Sequence, residues 1–363
     1  MNSDDYGKKR ILFIMSSLAG GGAERVTANL VNALCEKYEV SLITLFEHRD
    51  AYELDSRVQR FHYPEFYVNT PRLRRKFLKA AGHLPRLLWA RNIKNKLKPD
   101  VTVSMLYLPN FINALTDSGD FRIMSERADP TWMGKNYYNA GKFAYGRADH
   151  TVFQSRRVQR MFADKVQAKS SIILNPVKVD CLASAQKSRK IVTAGRLEDQ
   201  KNHKLLIRAF SSFHRHHPGY HLYIFGEGSL KSELLRTVKN LGMQDSVSIL
   251  DFAPDLHEQI RDAEMFVLSS DFEGLSNALL EAMMMGIPCI STNCAGSDEV
   301  IENMKNGIIV PVGDEHRLAE AMSTIADDPV MGEAFAKAGR EVSERFRAET
   351  VIRQWIDLIE RNI

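Results

Sequence analysis

The chain has 363 residues, the length of about two average domains, and is 44% apolar and 26% charged. That composition excludes collagen, coiled coil or disorder as the main architecture, and no apolar run reaches the roughly 18–20 residues of a membrane span. The net charge of +4 is unevenly spread: ten of the 49 Lys and Arg residues lie between Glu65 and Asp100, where there is no acidic residue, which leaves 39 to set against 45 acidic ones.

At the amino end, Ile11–Met15 is the only apolar run before polar Ser16–Ser17. It is too short for the apolar core of a secretory signal, so a cytosolic protein is expected. Lys9–Met15 predicts a strand buried on both faces. Gly20–Gly21–Gly22 follows, and Ala23–Tyr38 carries Val26, Leu30, Ala33 and Leu34 at helical spacing. With a second strand over Val40–Phe46 this reads as a right-handed βαβ crossover in a parallel sheet.

The basic stretch comes next: Arg72, Arg74, Arg75, Lys76, Lys79, Arg86, Arg91, Lys94, Lys96 and Lys98, interleaved with Phe77, Leu78, Leu84, Leu87, Leu88 and Trp89. One reading is a basic amphipathic segment resting on an anionic membrane surface. The other is a solvated helix that packs its Leu and Trp side chains on the core. Repulsion among ten uncompensated cations favours the membrane. Nucleic acid ranks last and is not the expected partner.

Val101–Leu106, Phe121–Met124, Thr151–Ser155 and Ser171–Leu174 predict further short strands. Asn175–Pro176 and the polar run Ser184–Lys190 mark a linker. The alternation then restarts, with strands over Ile191–Ala194, Tyr220–Phe225, Val247–Leu250, Met265–Ser269 and Pro288–Ser291. Helices are expected over Lys204–His214, Leu230–Leu241, Leu256–Ala263 and Asn277–Met285, with a last one over Val351–Ile363. Two consecutive doubly wound α/β halves are the simplest account, and ligands of such sheets bind at the carboxyl ends of the strands. The four cysteines are scattered, with no histidine at ligand spacing, so reduced thiols are expected rather than a zinc site.

Three motifs follow strands. Gly20–Gly21–Gly22–Ala23–Glu24–Arg25 combines glycines, which let backbone approach a ligand, with a helix start that attracts anions. It is neither a dinucleotide fingerprint nor a P-loop, and a plain tight turn explains it equally. Gly195–Arg196–Leu197 with Lys201 places two cations where a diphosphate could sit. Phe272–Glu273–Gly274–Leu275–Ser276–Asn277–Ala278–Leu279–Leu280–Glu281 puts one carboxylate in a loop and a second in a helix, with Ser276 as N-cap between them.

In order and placement these motifs resemble the bacterial family 4 retaining glycosyltransferases of GT-B type. The resemblance rests on the Gly-Gly-Ala-Glu-Arg opening, Gly195–Lys201, the Gly226–Glu227–Gly228 turn, the Glu273–Glu281 segment, Gly286–Ile287–Pro288 and Ala295–Ile301. It covers nearly the whole chain, and similar members build lipid-linked oligosaccharides, O-antigens or capsules. It implies two Rossmann-like domains facing a central crevice: residues 1–178 for the acceptor and 188–344 for the nucleotide sugar. A helix within 345–363 would pack back on the first domain.

The resemblance also implies roles. Gly21 and Gly22 would lie close to the donor phosphates, and Arg196 and Lys201 would neutralise the leaving diphosphate. Glu273 would contact the transferred sugar and Glu281 would hold the ribose hydroxyls. The amides around Leu275, Ser276, Asn277 and Ala278 would bind phosphate, and the base would lie near Gly226–Gly228 and Phe252. Many members carry a histidine in the first domain near the acceptor. Here Arg127 stands at that point, within Ser125–Glu126–Arg127–Ala128–Asp129–Pro130, so Glu126 is the candidate for orienting or deprotonating the acceptor hydroxyl. A structural Glu–Arg pair is the alternative; His83, His150 and His203 are weaker candidates.

No Asp-x-Asp occurs, so no bridging metal is expected, and no cofactor beyond the nucleotide sugar, which is a co-substrate. The expected activity is transfer of a hexose or N-acetylhexosamine, by default from UDP, to a lipid-diphosphate-linked glycan. The expected place is the inner face of the cell membrane, held peripherally through Arg72, Arg74, Arg75, Lys76, Lys79 and Trp89. A sugar-nucleotide epimerase of the same shape and a non-catalytic nucleotide-sugar-binding protein remain as alternatives.

Overall fold

The computed structural model describes residues 8–19, 22–46, 49–64, 83–130, 134–251, 253, 255–294 and 296–363. It divides into two compact units, residues 1–175 with 351–363, and residues 176–350.

The first unit is built on seven strands: β1 (Arg10–Met15), β2 (Glu39–Thr44), β3 (Gln59–His62), β4 (Val101–Met105), β5 (Phe121–Ser125), β6 (His150–Phe153) and β7 (Ser170–Ile172). They pair in parallel in the order β3-β2-β1-β4-β5-β6-β7. Ile11–Met15 and Val101–Met105 are buried without interruption. Such continuous burial is the pattern of parallel strands covered on both faces.

The second unit has six strands: β8 (Lys190–Ala194), β9 (His221–Phe225), β10 (Val247–Leu250), β11 (Met265–Leu268), β12 (Cys289–Thr292) and β13 (Ile308–Val310). Their order is β10-β9-β8-β11-β12-β13, again all parallel. Ile191, Leu206, Phe210, Leu222, Ile224, Val267, Ile290 and Met322 belong to its core. The winding direction reverses between β8 and β11. Gly195–Lys201 follows the first of these strands and Glu273–Glu281 the second, so the topology delivers both motifs to neighbouring strand ends at the switch point.

The closing helix Ala348–Glu360 buries Val351, Trp355 and Ile359, a stripe at four-residue spacing. Residues 351–363 return to the first unit. There Glu360 Oε1 accepts hydrogen bonds from Lys37 Nζ and Tyr38 Oη, each 2.5 Å long.

The basic stretch is only partly described, and Arg72, Arg74, Arg75, Lys76 and Lys79 fall outside the described residues. Its remainder forms the helix Leu84–Leu97. Leu87, Trp89, Ile93 and Leu97 pack on the cluster of Leu12, Ile14, Ile43 and Leu45, and Trp89 meets Tyr63 edge-on at 5.5 Å. The expectation of solvated cations fails at two positions, and at one of them, Lys94, the charge is also compensated. Arg86 is buried, with Nε donating to the Leu45 carbonyl at 3.0 Å and its guanidinium 4.4 Å from the Phe46 ring centre. Lys94 is fully buried, 2.8 Å from Asp120 and 2.9 Å from Asn113 Oδ1. Both are taken into the core because a partner satisfies them. Arg91, Lys96 and Lys98 are exposed. Among the described residues no helix is long and apolar enough to cross a membrane.

Candidate active site

In the second unit the loops after β8 and β9 touch through glycine. Gly195 N–H donates to the Phe225 carbonyl at 2.9 Å, and a Cβ on Gly226 would lie 1.9 Å from the Gly195 oxygen. A Cβ on Gly228 would lie 2.4 Å from the Leu197 oxygen. No side chain fits at either position, so close backbone packing by itself accounts for Gly226 and Gly228.

Lys201 ends the single 3₁₀ turn Asp199–Lys201 and lays its stem over Gly195. Its Nζ is 2.5 Å from Glu273 Oε1, and side-chain exposure is 12% for the lysine and 10% for the glutamate. Ser270 Oγ donates to the same carboxylate oxygen at 2.9 Å. Gln200 Nε2 reaches Glu273 Oε2 at 3.3 Å and the Phe272 carbonyl at 3.0 Å. Gln200 Oε1 in turn accepts from the exposed Arg196 at 3.0 Å. The two cations and the carboxylate thus form one chain, with Gln200 as the link. Sequence reasoning passed over Gln200 because a neutral amide beside a lysine carries no signal of its own.

Ser276 caps the helix Asn277–Met285, its hydroxyl accepting from Leu279 N–H. The first turn of any helix leaves N–H groups without an intrahelical acceptor and attracts anions. Leu275 and Ser276 are buried; Asn277 and Ala278 are half-buried. Glu281 lies within the helix, 9% exposed, with His257 Nε2 3.5 Å from its Oε2. On its other side His257 Nδ1 faces Asp180, 3.1 Å from Oδ2 and 3.2 Å from the backbone N–H. The Glu281 contact holds His257 above the usual histidine range, with Asp180 adding to it. Nothing in the sequence separation pointed to this pairing.

A second cluster lies in the first unit, where β5 runs into Glu126 and Arg127. Glu126 is 1% exposed. Its Oε1 accepts from the backbone N–H of Arg127 at 3.0 Å and of Ala128 at 3.1 Å, and its Oε2 from Tyr145 Oη at 2.7 Å. Tyr137 Oη adds a longer bond of 3.4 Å. Burial pushes the carboxyl up to about 7 despite these donors, and drives both phenols upward. Glu126 therefore organises the turn that carries Arg127, with no hydrogen bond or ion pair to its guanidinium.

The weaker candidates lie elsewhere. His150 opens β6, at the end of the sheet opposite the strand carboxyl ends, and bonds Ser171 at 3.0 Å. His83 precedes the helix Leu84–Leu97. His203, in the second unit, is 3% exposed and pushed down to about 4 by burial and the Lys201 charge. Gly22 opens the helix Gly22–Leu34 and is exposed, while Gly21 and Phe252 fall outside the described residues. Among the described residues no three His, Cys, Asp or Glu side chains gather as a metal site.

The family model described as Glycosyltransferase Family 4 matches residues 20–180, and that described as Glycosyl transferases group 1 matches residues 179–342. The chain belongs to family 4 of the glycosyltransferases. This family 4 enzyme is 29% identical to a Campylobacter jejuni protein named N-acetylgalactosamine-N,N'-diacetylbacillosaminyl-diphospho-undecaprenol 4-alpha-N-acetylgalactosaminyltransferase, over 91% of this chain and 93% of the relative. It is 24% identical to a second C. jejuni enzyme, an alpha-1,4-N-acetyl-D-galactosaminyltransferase named for a PP-undecaprenol glycan, over 96% of this chain and 98% of that one. Its fold is that of Anabaena HepE crystallised with UDP, with a TM-score of 0.80 at 17% identity over 97% of this chain and 100% of the other. The family 4 enzyme has the GT-B fold and is a glycosyltransferase.

Proposed function

We propose that the enzyme moves a hexosyl or N-acetylhexosaminyl group from UDP to a glycan carried on a lipid diphosphate, with retention of configuration, at the cytoplasmic face of a membrane. The observation that carries this reading is the Arg196–Gln200–Glu273–Lys201 chain, set at the ends of β8 and β11 beside the start of the helix Asn277–Met285. The names of the two C. jejuni relatives support the acceptor class, and the HepE complex supports UDP.

In this reading the bond between the anomeric carbon and the diphosphate oxygen breaks, and its electron pair stays on UDP. Lys201, Arg196 and the helix amides stabilise that charge where it develops, without a bridging metal. The acceptor oxygen attacks from the face the diphosphate leaves, and its proton passes to the departing phosphate. Glu273 meets the transferred sugar, and Glu281, steadied by His257, takes the ribose diol.

The test is transfer in EDTA from a panel of UDP-hexoses and UDP-N-acetylhexosamines to a short polyprenyl-diphosphate glycan. The expected product is longer by one α-linked sugar. Turnover of the donor to its epimer without acceptor, and no longer product with any donor, would overturn the reading in favour of an epimerase. UDP at ~100 times its dissociation constant is expected to stabilise the protein by about 2.7 kcal/mol, an effect that Glu281→Ala removes.

The membrane part has its own test. With Arg86 and Lys94 inside the core, attraction falls to the eight other basic residues between Glu65 and Asp100. The protein is expected to sediment with phosphatidylglycerol vesicles at low salt and to be released as salt screens the contact. Failure to sediment at low salt removes this part and leaves the transferase reading intact.

A further inference from the structure

We propose that Arg127 is the receptor for a phosphoryl oxyanion of one of the substrates, in a site built by the carboxyl ends of β5, β6 and β7. Arg127 follows β5, Gln154 follows β6 and Asn175 follows β7. The Arg127 guanidinium donates to Asn175 Oδ1 at 2.5 Å and to Ser125 Oγ at 3.5 Å, and Asn175 Oδ1 also accepts from Gln154. Every acceptor it has is neutral. Among the described residues no carboxylate lies within ion-pair distance of it, Arg127 Nε and Gln154 Oε1 have no hydrogen-bond partner, and Arg127 is only 8% exposed.

Glu126, next along the chain, opposes the burial of Arg127 through its charge but makes no ion pair or hydrogen bond with the guanidinium. Its oxygens are turned to Tyr145, Tyr137 and the two turn amides, and at neutral pH it is near its midpoint. Burial accordingly draws Arg127 itself down to about 9. A guanidinium taken out of water without an ion-paired carboxylate is among the most unfavourable arrangements in a fold. It is compensated when an anion returns the charge. The planar fork suits two oxygens of one phosphoryl group. Parallel α/β sheets bind ligands at these strand ends. Which anion binds rests on the transferase reading; that one binds does not.

Two diphosphates carry the shared chemistry, that of the nucleotide donor and that of the lipid-linked acceptor, and kinetics of the full-length protein separate them. Loss of a charge-assisted contact of this kind corresponds to about tenfold to a hundredfold. If the donor is the source, Arg127→Gln raises KM for the UDP-sugar by that factor and leaves the acceptor KM unchanged. If the acceptor is the source, KM for the diphosphate-linked glycan rises instead, while a glycan acceptor lacking diphosphate is unaffected. Titration with inorganic pyrophosphate, followed by calorimetry, is expected to lose one binding event in Arg127→Gln.

Asn175→Asp provides a second variant that keeps the arginine. It places a carboxylate against the guanidinium and is expected to hold or raise Tm while weakening the same KM and the same pyrophosphate event. If Arg127→Gln fails to fold, Asn175→Asp decides alone. Unchanged KM values and pyrophosphate binding in the folded variants overturn the proposal. A wild-type protein that transfers no sugar yet binds pyrophosphate in an Arg127-dependent way would retain this site and refute the transferase reading.

Discussion

Replacing Lys201 by Met is expected to lower kcat/KM by about 10²–10³, the loss typical of one missing charge-stabilising donor, and to destabilise the fold by about 3–5 kcal/mol. The second effect follows from burial. Lys201 and Glu273 are both nearly sealed from solvent at 2.5 Å. Without the ammonium, Glu273 keeps the Ser270 hydroxyl and the Gln200 amide but has no counter-charge. The two effects separate in the double variant Lys201→Met with Glu273→Gln. Neutralising the stranded carboxylate should recover most of the stability, because a buried pair replaced by neutral groups of similar size is often tolerated. Activity should stay at the single-variant level or below. Urea unfolding and initial rates on the same preparations measure both. A double variant that regains transfer would make the pair a structural tie and would remove Lys201 and Glu273 from the chemistry.

The sequence carried the second unit of the molecule further than the first, for identifiable reasons. Gly195–Arg196 and Glu273–Glu281 each follow a short apolar strand, and parallel winding sends such segments to one end of the sheet. The edge strand β3 went unread because Gln59–His62 offers a single large apolar residue, Phe61, with no run or alternation around it. The helix Tyr107–Leu115 was hidden because it begins two residues after β4, through Leu106 at φ +72°, and has Pro109 in its first turn. Arg86 and Lys94 read as solvated charge; only the fold supplies the Leu45 carbonyl, Phe46 and Asp120 that take them inside. Gln200, His257 and Asn175 act through partners remote in sequence, and no spacing rule connects them. The glycines illustrate a different limit. The resemblance places the nucleotide base near Gly226–Gly228, while the close approach of Gly226 to Gly195 accounts for the glycine by packing.

Glu126 provides a test in which pH does the work. Its carboxyl is raised from 4.5 to about 7 by burial, so between those values the folded protein binds more protons than the unfolded chain. Its contribution to stability is therefore full below about pH 4.5 and is lost as pH rises through 7. The size is about 3 kcal/mol at 1.36 kcal/mol per unit of pKa. Other carboxylates titrate in the same window, so the difference between wild type and Glu126→Gln is the quantity to measure. Gln can still accept the Arg127 and Ala128 amides through its oxygen and mimics the protonated acid toward Tyr145. Relative to this variant, wild type is expected to lose about 3 kcal/mol in urea unfolding between pH 4.5 and 7.5, with no further change above. A flat difference would show that Glu126 titrates as an ordinary surface carboxyl. The same variant distinguishes two roles in transfer. If Glu126 acts through the turn that carries Arg127, Glu126→Gln keeps the pH profile of kcat. If it takes the acceptor proton, the rise of kcat through pH 7 disappears with it. The 1% exposure and the four donors already on its two oxygens favour the first outcome.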